Sequence, residues 1–172
     1  MATKKIIMSW SKCKIELGLT GADDAMATDL FELGVINDKS TSLSTEDGDK
    51  LTATATGGVV VAEEESEHIY TITTRIKEMP FETEAKLNGA AVVDDELVVK
   101  TNIIPENYSV KVTPKNIGST GIKARCTHVT IKPGTSEEEG QYTDVTFKIL
   151  ATADGELYRK FKVKAADWAV AP

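Results

Sequence analysis

The sequence predicts an all-β domain, mainly antiparallel and sandwich- or barrel-like, with one short α-helix near residues 80–87. Alternating apolar and polar runs recur along the chain, and turn signals separate them at short, even spacing. Such runs are the mark of half-buried strands, and their spacing is that of a sandwich or barrel. Thr and Val are frequent while aromatics reach only 6%, and β-branched side chains fit a pleated surface better than a helix. The chain shows no strand–helix–strand rhythm, which argues against a parallel doubly wound sheet.

Taken in order, Ile6, Met8 and Trp10 share one parity and Cys13, Ile15 and Leu17 the other, so an early strand with a break near Ser11–Lys12 is expected. Gly18 to Asp24 reads as a loop and Leu30 to Ile36 as a second apolar run. Residues 37–50 read as a long polar loop carrying the turn signal Asp47-Gly48. Lys50 to Thr56 alternates as a strand, Gly57-Gly58 breaks it, and residues 57–67 read as a second loop through the acidic run Glu63 to Glu65. From His68 to Ile76 alternation returns, with Tyr70, Ile72 and Ile76 on one face. Pro80 to Leu87 has a proline for its first turn, Glu82 and Glu84 at its positive end and Asn88-Gly89 as a stop, which together predict the helix.

Beyond the helix, Ala90 to Ile104 reads as a hairpin around Asp94-Asp95, and Tyr108, Val110 and Val112 alternate up to Pro114. Ile122 to Ile131 is a further strand, ended by Pro133-Gly134, and Glu137 to Gly140 is an acidic loop. Val145, Phe147 and Ile149 share a strand face, Asp154-Gly155 marks a turn, and Leu157, Phe161 and Val163 share a face of the expected return strand. The count is eight to ten strands, with Trp168 in a short tail.

The 172 residues fit a single domain, 1–172, large enough to fold without disulfides or metal. With 27 acidic against 20 basic residues the net charge is −7. That balance opposes a general nucleic-acid clamp or an anionic membrane partner, both of which need cations. The apolar stretch after Lys4-Lys5 is too short for a signal peptide, and no run suits a membrane helix, so neither is expected. Two widely separated cysteines, Cys13 and Cys126, imply no disulfide framework and suit a reducing compartment.

Catalytic and metal motifs give no foothold. There is no G-x-S-x-G elbow, P-loop or dinucleotide fingerprint. Cys13, His68, Cys126 and His128 lack the close ligand pairs of structural zinc sites, and neither histidine has a partner at short spacing. The acidic clusters near residues 46–49, 63–65, 94–96 and 137–139 lack the EF-hand pattern, and read as solvated loops that blunt sheet edges. No enzyme activity, cofactor or metal is therefore expected.

The order of features carries a resemblance. The polar loop Ser40 to Asp49 precedes an alternating strand, and Gly57-Gly58 and Glu63-Glu64-Glu65 precede a long Thr-rich strand. A mid-chain helix follows, and Gly140 to Gly155 closes the pattern. Across roughly 36–164 this resembles the major tail, or tail tube, proteins of tailed phages, with the tubes of contractile injection systems as near relatives. The resemblance implies a structural subunit that joins copies of itself into stacked, hexameric rings by sheet pairing between neighbours. It implies assembly in the bacterial cytoplasm, a place in the virion tail beside other tail proteins, and DNA passing without specific binding. A ring of six chains at −7 each carries −42, which repels phosphate. Candidate contact residues are Ser40, Thr41, Leu43, Glu46 and Asp47 in the first loop, and Gly57, Gly58, Glu63, Glu64 and Glu65 in the second. The alternative is a non-enzymatic ligand- or surface-binding β-sandwich module of a bacterium.

Overall fold

A computed structural model describes residues 12–100 and 106–168. The chain runs through β1 (Cys13–Leu19), β2 (Phe31–Glu32), β3 (Val35–Ile36), β4 (Ser42–Glu46), β5 (Lys50–Ala55), β6 (Val59–Glu65) and β7 (Ile69–Glu78). The helix α1 (Phe81–Asn88) precedes β8 (Ala91–Val93), β9 (Glu96–Val98), β10 (Asn107–Pro114), β11 (Thr120–Ser136), β12 (Gly140–Ile149) and β13 (Arg159–Lys162). Among the described residues the fold is all-β with one short α-helix, and every strand pairing is antiparallel.

Nine strands form one sheet in the order β2-β1-β10-β11-β12-β7-β3, with β4 also on β7 and β13 also on β11. β2 and β3 lie at opposite ends of that order, yet only Leu33 and Gly34 separate them in sequence. Three Cα–Cα steps span at most about 11 Å, so the sheet must curl until its two ends meet. Leu33 N–H donates to Ile15 O at 3.0 Å on β1, and Asn37 N–H donates to Arg75 O at 2.8 Å on β7. This short segment thus staples both ends of a curled, barrel-like sheet. The apolar run Leu30 to Ile36 is this staple, with Leu33 fully buried in the core.

The predicted faces of β1, β7, β10 and β12 point inward, whereas the alternating run Lys50 to Thr56 forms β5 with Leu51, Ala53 and Ala55 all exposed. Ile15 and Leu17, Ile72 and Ile76, Val110 and Val112, and Val145, Phe147 and Ile149 all contribute to one core. The early parity of Ile6, Met8 and Trp10 lies outside the described residues. α1 starts after Pro80 and stops at Gly89, whose φ of 62° is left-handed. Leu87 joins the core, and the Tyr108 hydroxyl donates to Lys86 O at 2.9 Å, fixing the helix to β10. The Asp94-Asp95 turn closes the β8–β9 hairpin with positive φ at both residues, as a two-residue hairpin turn requires. Residues 101–104 of that expected hairpin lie outside the described residues.

Three expectations are corrected. β11 does not stop at Pro133-Gly134 but runs to Ser136, pairing with β12 from Thr127 onward. Past His128, β11 has left β10 and keeps β12 as its ladder partner, so a residue without an N–H fits on its free side. A Cβ on Gly134 would lie 2.6 Å from the Tyr142 ring, so glycine makes room for that ring. Second, Asp154-Gly155 is a turn, with Gly155 at φ 79°, but no return strand pairs with β12. Both edges of β12 are taken, by β11 and β7, so the chain makes an excursion and rejoins β11 as β13. Arg125 holds that excursion through Thr152, Asp154 and Glu156, and Glu156 in turn binds Arg159. Third, the expected loops 37–50 and 57–67 contain strands β4 and β6.

Candidate functional site

Two ladders, β4·β7 and β5·β6, and the segments that flank them carry the candidate contact residues, and the ladders share one register. Ser42 faces Thr73, Glu46 faces Ile69, Lys50 faces Glu65 and Ala53 faces Ala62. Each of these pairs sums to 115, so residues 42–73 form one long hairpin interrupted by a bend at Asp47-Gly48-Asp49 and Ser66-Glu67-His68. Within the bend, Ser66 N–H donates to Asp49 O at 2.9 Å, and the same register holds.

The inner half belongs to the barrel wall. Leu43 packs against the core, opposite Ile72. Ser40 Oγ donates to Asn37 O at 2.8 Å and accepts from Arg75 N–H at 3.1 Å. Thr41 and Thr74 share a hydroxyl hydrogen bond at 2.9 Å, as do Ser42 and Thr73. Burial pushes the Cys13 thiol up, against a hydrogen bond with Thr41 that lowers it. Ser40, Thr41 and Leu43 therefore lie in the barrel wall. The hydroxyl-rich run folds as a strand because β7 presents matching Thr hydroxyls along its edge.

The outer half is different. Every residue of β5 and β6 is exposed, and the ribbon stands clear of the core. Gly57 and Gly58 form its tip, with φ of 98° and 79°, values that a side chain resists. Gly58 N–H donates to Ala55 O, closing the turn. The register places Leu51, Ala53 and Ala55 of β5 on one face with Ala62 and Val59 of β6. Lys50, Thr52 and Thr54 share the other face with Glu65, Glu63 and Val60. Lys50 Nζ lies 3.5 Å from Glu63 Oε1 across that polar face. On the apolar side Leu51 is 74% and Val59 63% exposed. Glu64 faces Leu51 near the ribbon's base. Glu46 closes the β4 ladder opposite Ile69.

Asp47 and Glu65 converge at the bend with His68, which the sequence left without a partner. His68 Nδ1 lies 3.6 Å from Asp47 Oδ1, and the ligand atoms of all three residues lie within 4.8 Å of one another. The pairs nearest the tip, Thr54 with Val60 and Ala55 with Val59, are in a register that would set Asp47 opposite Glu67; the one-residue bulge between Ala53 and Thr54 shifts it so that Asp47 comes opposite His68. Among the described residues, Cys13, Cys126 and His128 join no such group.

An open cleft of about 650 Å³ lies beside the sheet seam, with Lys12, Lys14, Cys13, Thr41 and Trp168 among its lining. Lys14 is committed to Glu16 at 3.3 Å and sits over the Trp168 ring. The indole N–H of Trp168 donates to Pro114 O, so the tail seals part of this face. Among the described residues, no helix is long and apolar enough to cross a membrane. No protein-family model matches this chain, and no curated protein matches it in sequence.

Proposed function

We propose that the chain is a structural subunit of a phage-type tail tube, which associates with copies of itself into stacked rings of six around a channel for DNA. The observation that carries this reading is the β5–β6 ribbon. A two-stranded ribbon is marginal by itself in water, and this one leaves Leu51 and Val59 on its apolar face more than half exposed. Burying each such side chain contributes about 1.5–3 kcal/mol, so a neighbouring copy that covers the apolar face gains several kcal/mol and orders the ribbon. The outer edge of β4 adds a second surface, since among the described residues it pairs only with β7. Free edges invite strand addition by another chain, and a closed ring uses them without leaving an end.

The net charge of −7 fits a conduit that DNA traverses without sticking. The other tail proteins would meet the first and last rings, and the assembly would end in the virion tail.

Negative-stain electron microscopy of the concentrated protein, at low and high salt, tests the reading. Salt screens repulsion between acidic subunits. Rings or tubes with a central hole are expected, and Leu51→Lys combined with Val59→Lys should abolish them while leaving the melting temperature unchanged. Uniform monomers under every condition would overturn the proposal and favour a surface-binding β module.

A further inference from the structure

We propose that Asp47, Glu65 and His68 form a binding site for a divalent transition metal of the zinc class, which ties the base of the β5–β6 ribbon to the barrel. The three donors come from separate segments: the bend after β4, the end of β6 and the start of β7. They meet because the common register brings residue 47 opposite residue 68 and residue 65 opposite residue 50. Backbone pairing on both sides of the bend, Glu46 with Ile69 and Lys50 with Glu65, holds the frame. A Cβ on Gly48 would lie 2.0 Å from Ser66 O, so the two backbones cross there at a distance that only glycine allows. Binding an ion therefore requires ordering three side chains and little backbone.

The spacing suits the chemistry. Zinc binds imidazole and carboxylate at about 2.0–2.2 Å in tetrahedral sites, which places the donors about 3.4 Å apart. His68 Nδ1 and Asp47 Oδ1 stand at 3.6 Å already. Glu65 is exposed, and rotation of its side chain brings its carboxylate in from within 4.8 Å. Water fills the fourth position. Two carboxylates and a neutral imidazole also balance a dipositive ion.

The donor set selects the metal. Calcium takes six to eight oxygens and magnesium keeps most of its water, whereas an imidazole among three protein donors favours zinc, nickel or copper. This site stands independently of ring assembly, since all three donors belong to one chain.

Calorimetric titration of the full chain with zinc chloride at pH 7.5 tests it, with calcium chloride as the hard-cation comparison. One zinc per chain at micromolar affinity is expected, with no calcium heat. His68→Ala and Glu65→Gln should each weaken binding at least tenfold. His128→Ala, which removes the chain's other histidine, should leave it unchanged. Zinc should also slow amide exchange across residues 50–65. Lack of saturable zinc binding, or binding as tight in His68→Ala as in the parent, overturns the proposal. Both variants alter exposed positions, so misfolding does not confuse the result.

Discussion

Leu33 offers the sharpest test of how the sheet closes. It lies in no strand, between β2 and β3, yet it is fully buried, while its near neighbour Val35 is 58% exposed. Leu33→Ala removes three carbons, worth roughly 2.4 kcal/mol of transfer free energy at about 0.8 kcal/mol each. The cavity left beneath the staple adds to that, giving a loss of about 3–4 kcal/mol. For 172 residues, an unfolding entropy of about 2.1 cal/mol/K per residue converts this to a fall of about 10 °C in melting temperature. Val35→Ala should cost within about 0.5 kcal/mol, because its side chain already meets water. Thermal and urea unfolding of both variants provides the comparison. If Leu33→Ala melts no lower than Val35→Ala, the staple does not seal the core and the argument for closure fails.

Further outcomes follow from particular contacts. Tyr108→Phe should lose about 1 kcal/mol, since the Lys86 carbonyl at the helix end loses its hydroxyl donor, and amide exchange in residues 81–88 should speed up. Gly121→Ala should cost about 1–3 kcal/mol and loosen β13, because a Cβ there would lie 2.5 Å from the Phe161 ring and 2.8 Å from Val112 O; an unchanged urea midpoint would count against that packing. The Asp154 carboxyl is held well below its ordinary value of 3.8 by hydrogen bonds from Thr152 and Arg125. Asp144 is likewise lowered by Arg75. A depressed folded pKa means stability that is present above the ordinary carboxylate range and lost as the pH falls through the folded value. The melting temperature should therefore hold from pH 7 to about 5 and decline below about 4, and Asp154→Asn should make that acid decline shallower.

Local sequence determined most of the strands, the helix and their inward faces. Phe147 and Ile149, or Val110 and Val112, declare themselves because a strand's side chains alternate and one face must be dry. Pro80 and Gly89 declare the ends of α1 because each residue type limits the backbone on its own. Which edges are free is a property of the whole sheet. The Asp154-Gly155 turn carries a hairpin signal in sequence, yet β7 occupies the edge a return strand would need, so β13 joins β11. The hydroxyl-rich segment Ser40 to Ser44 looks like a loop until the Thr hydroxyls of β7 lie beside it. Asp47 and His68 stand 21 positions apart, and no local pattern relates them. Only the register of the long hairpin brings them together with Glu65. Alternation and turn chemistry are fixed by neighbours in the chain, whereas pairing, closure and the meeting of distant side chains are decided when strands compete for the same edges.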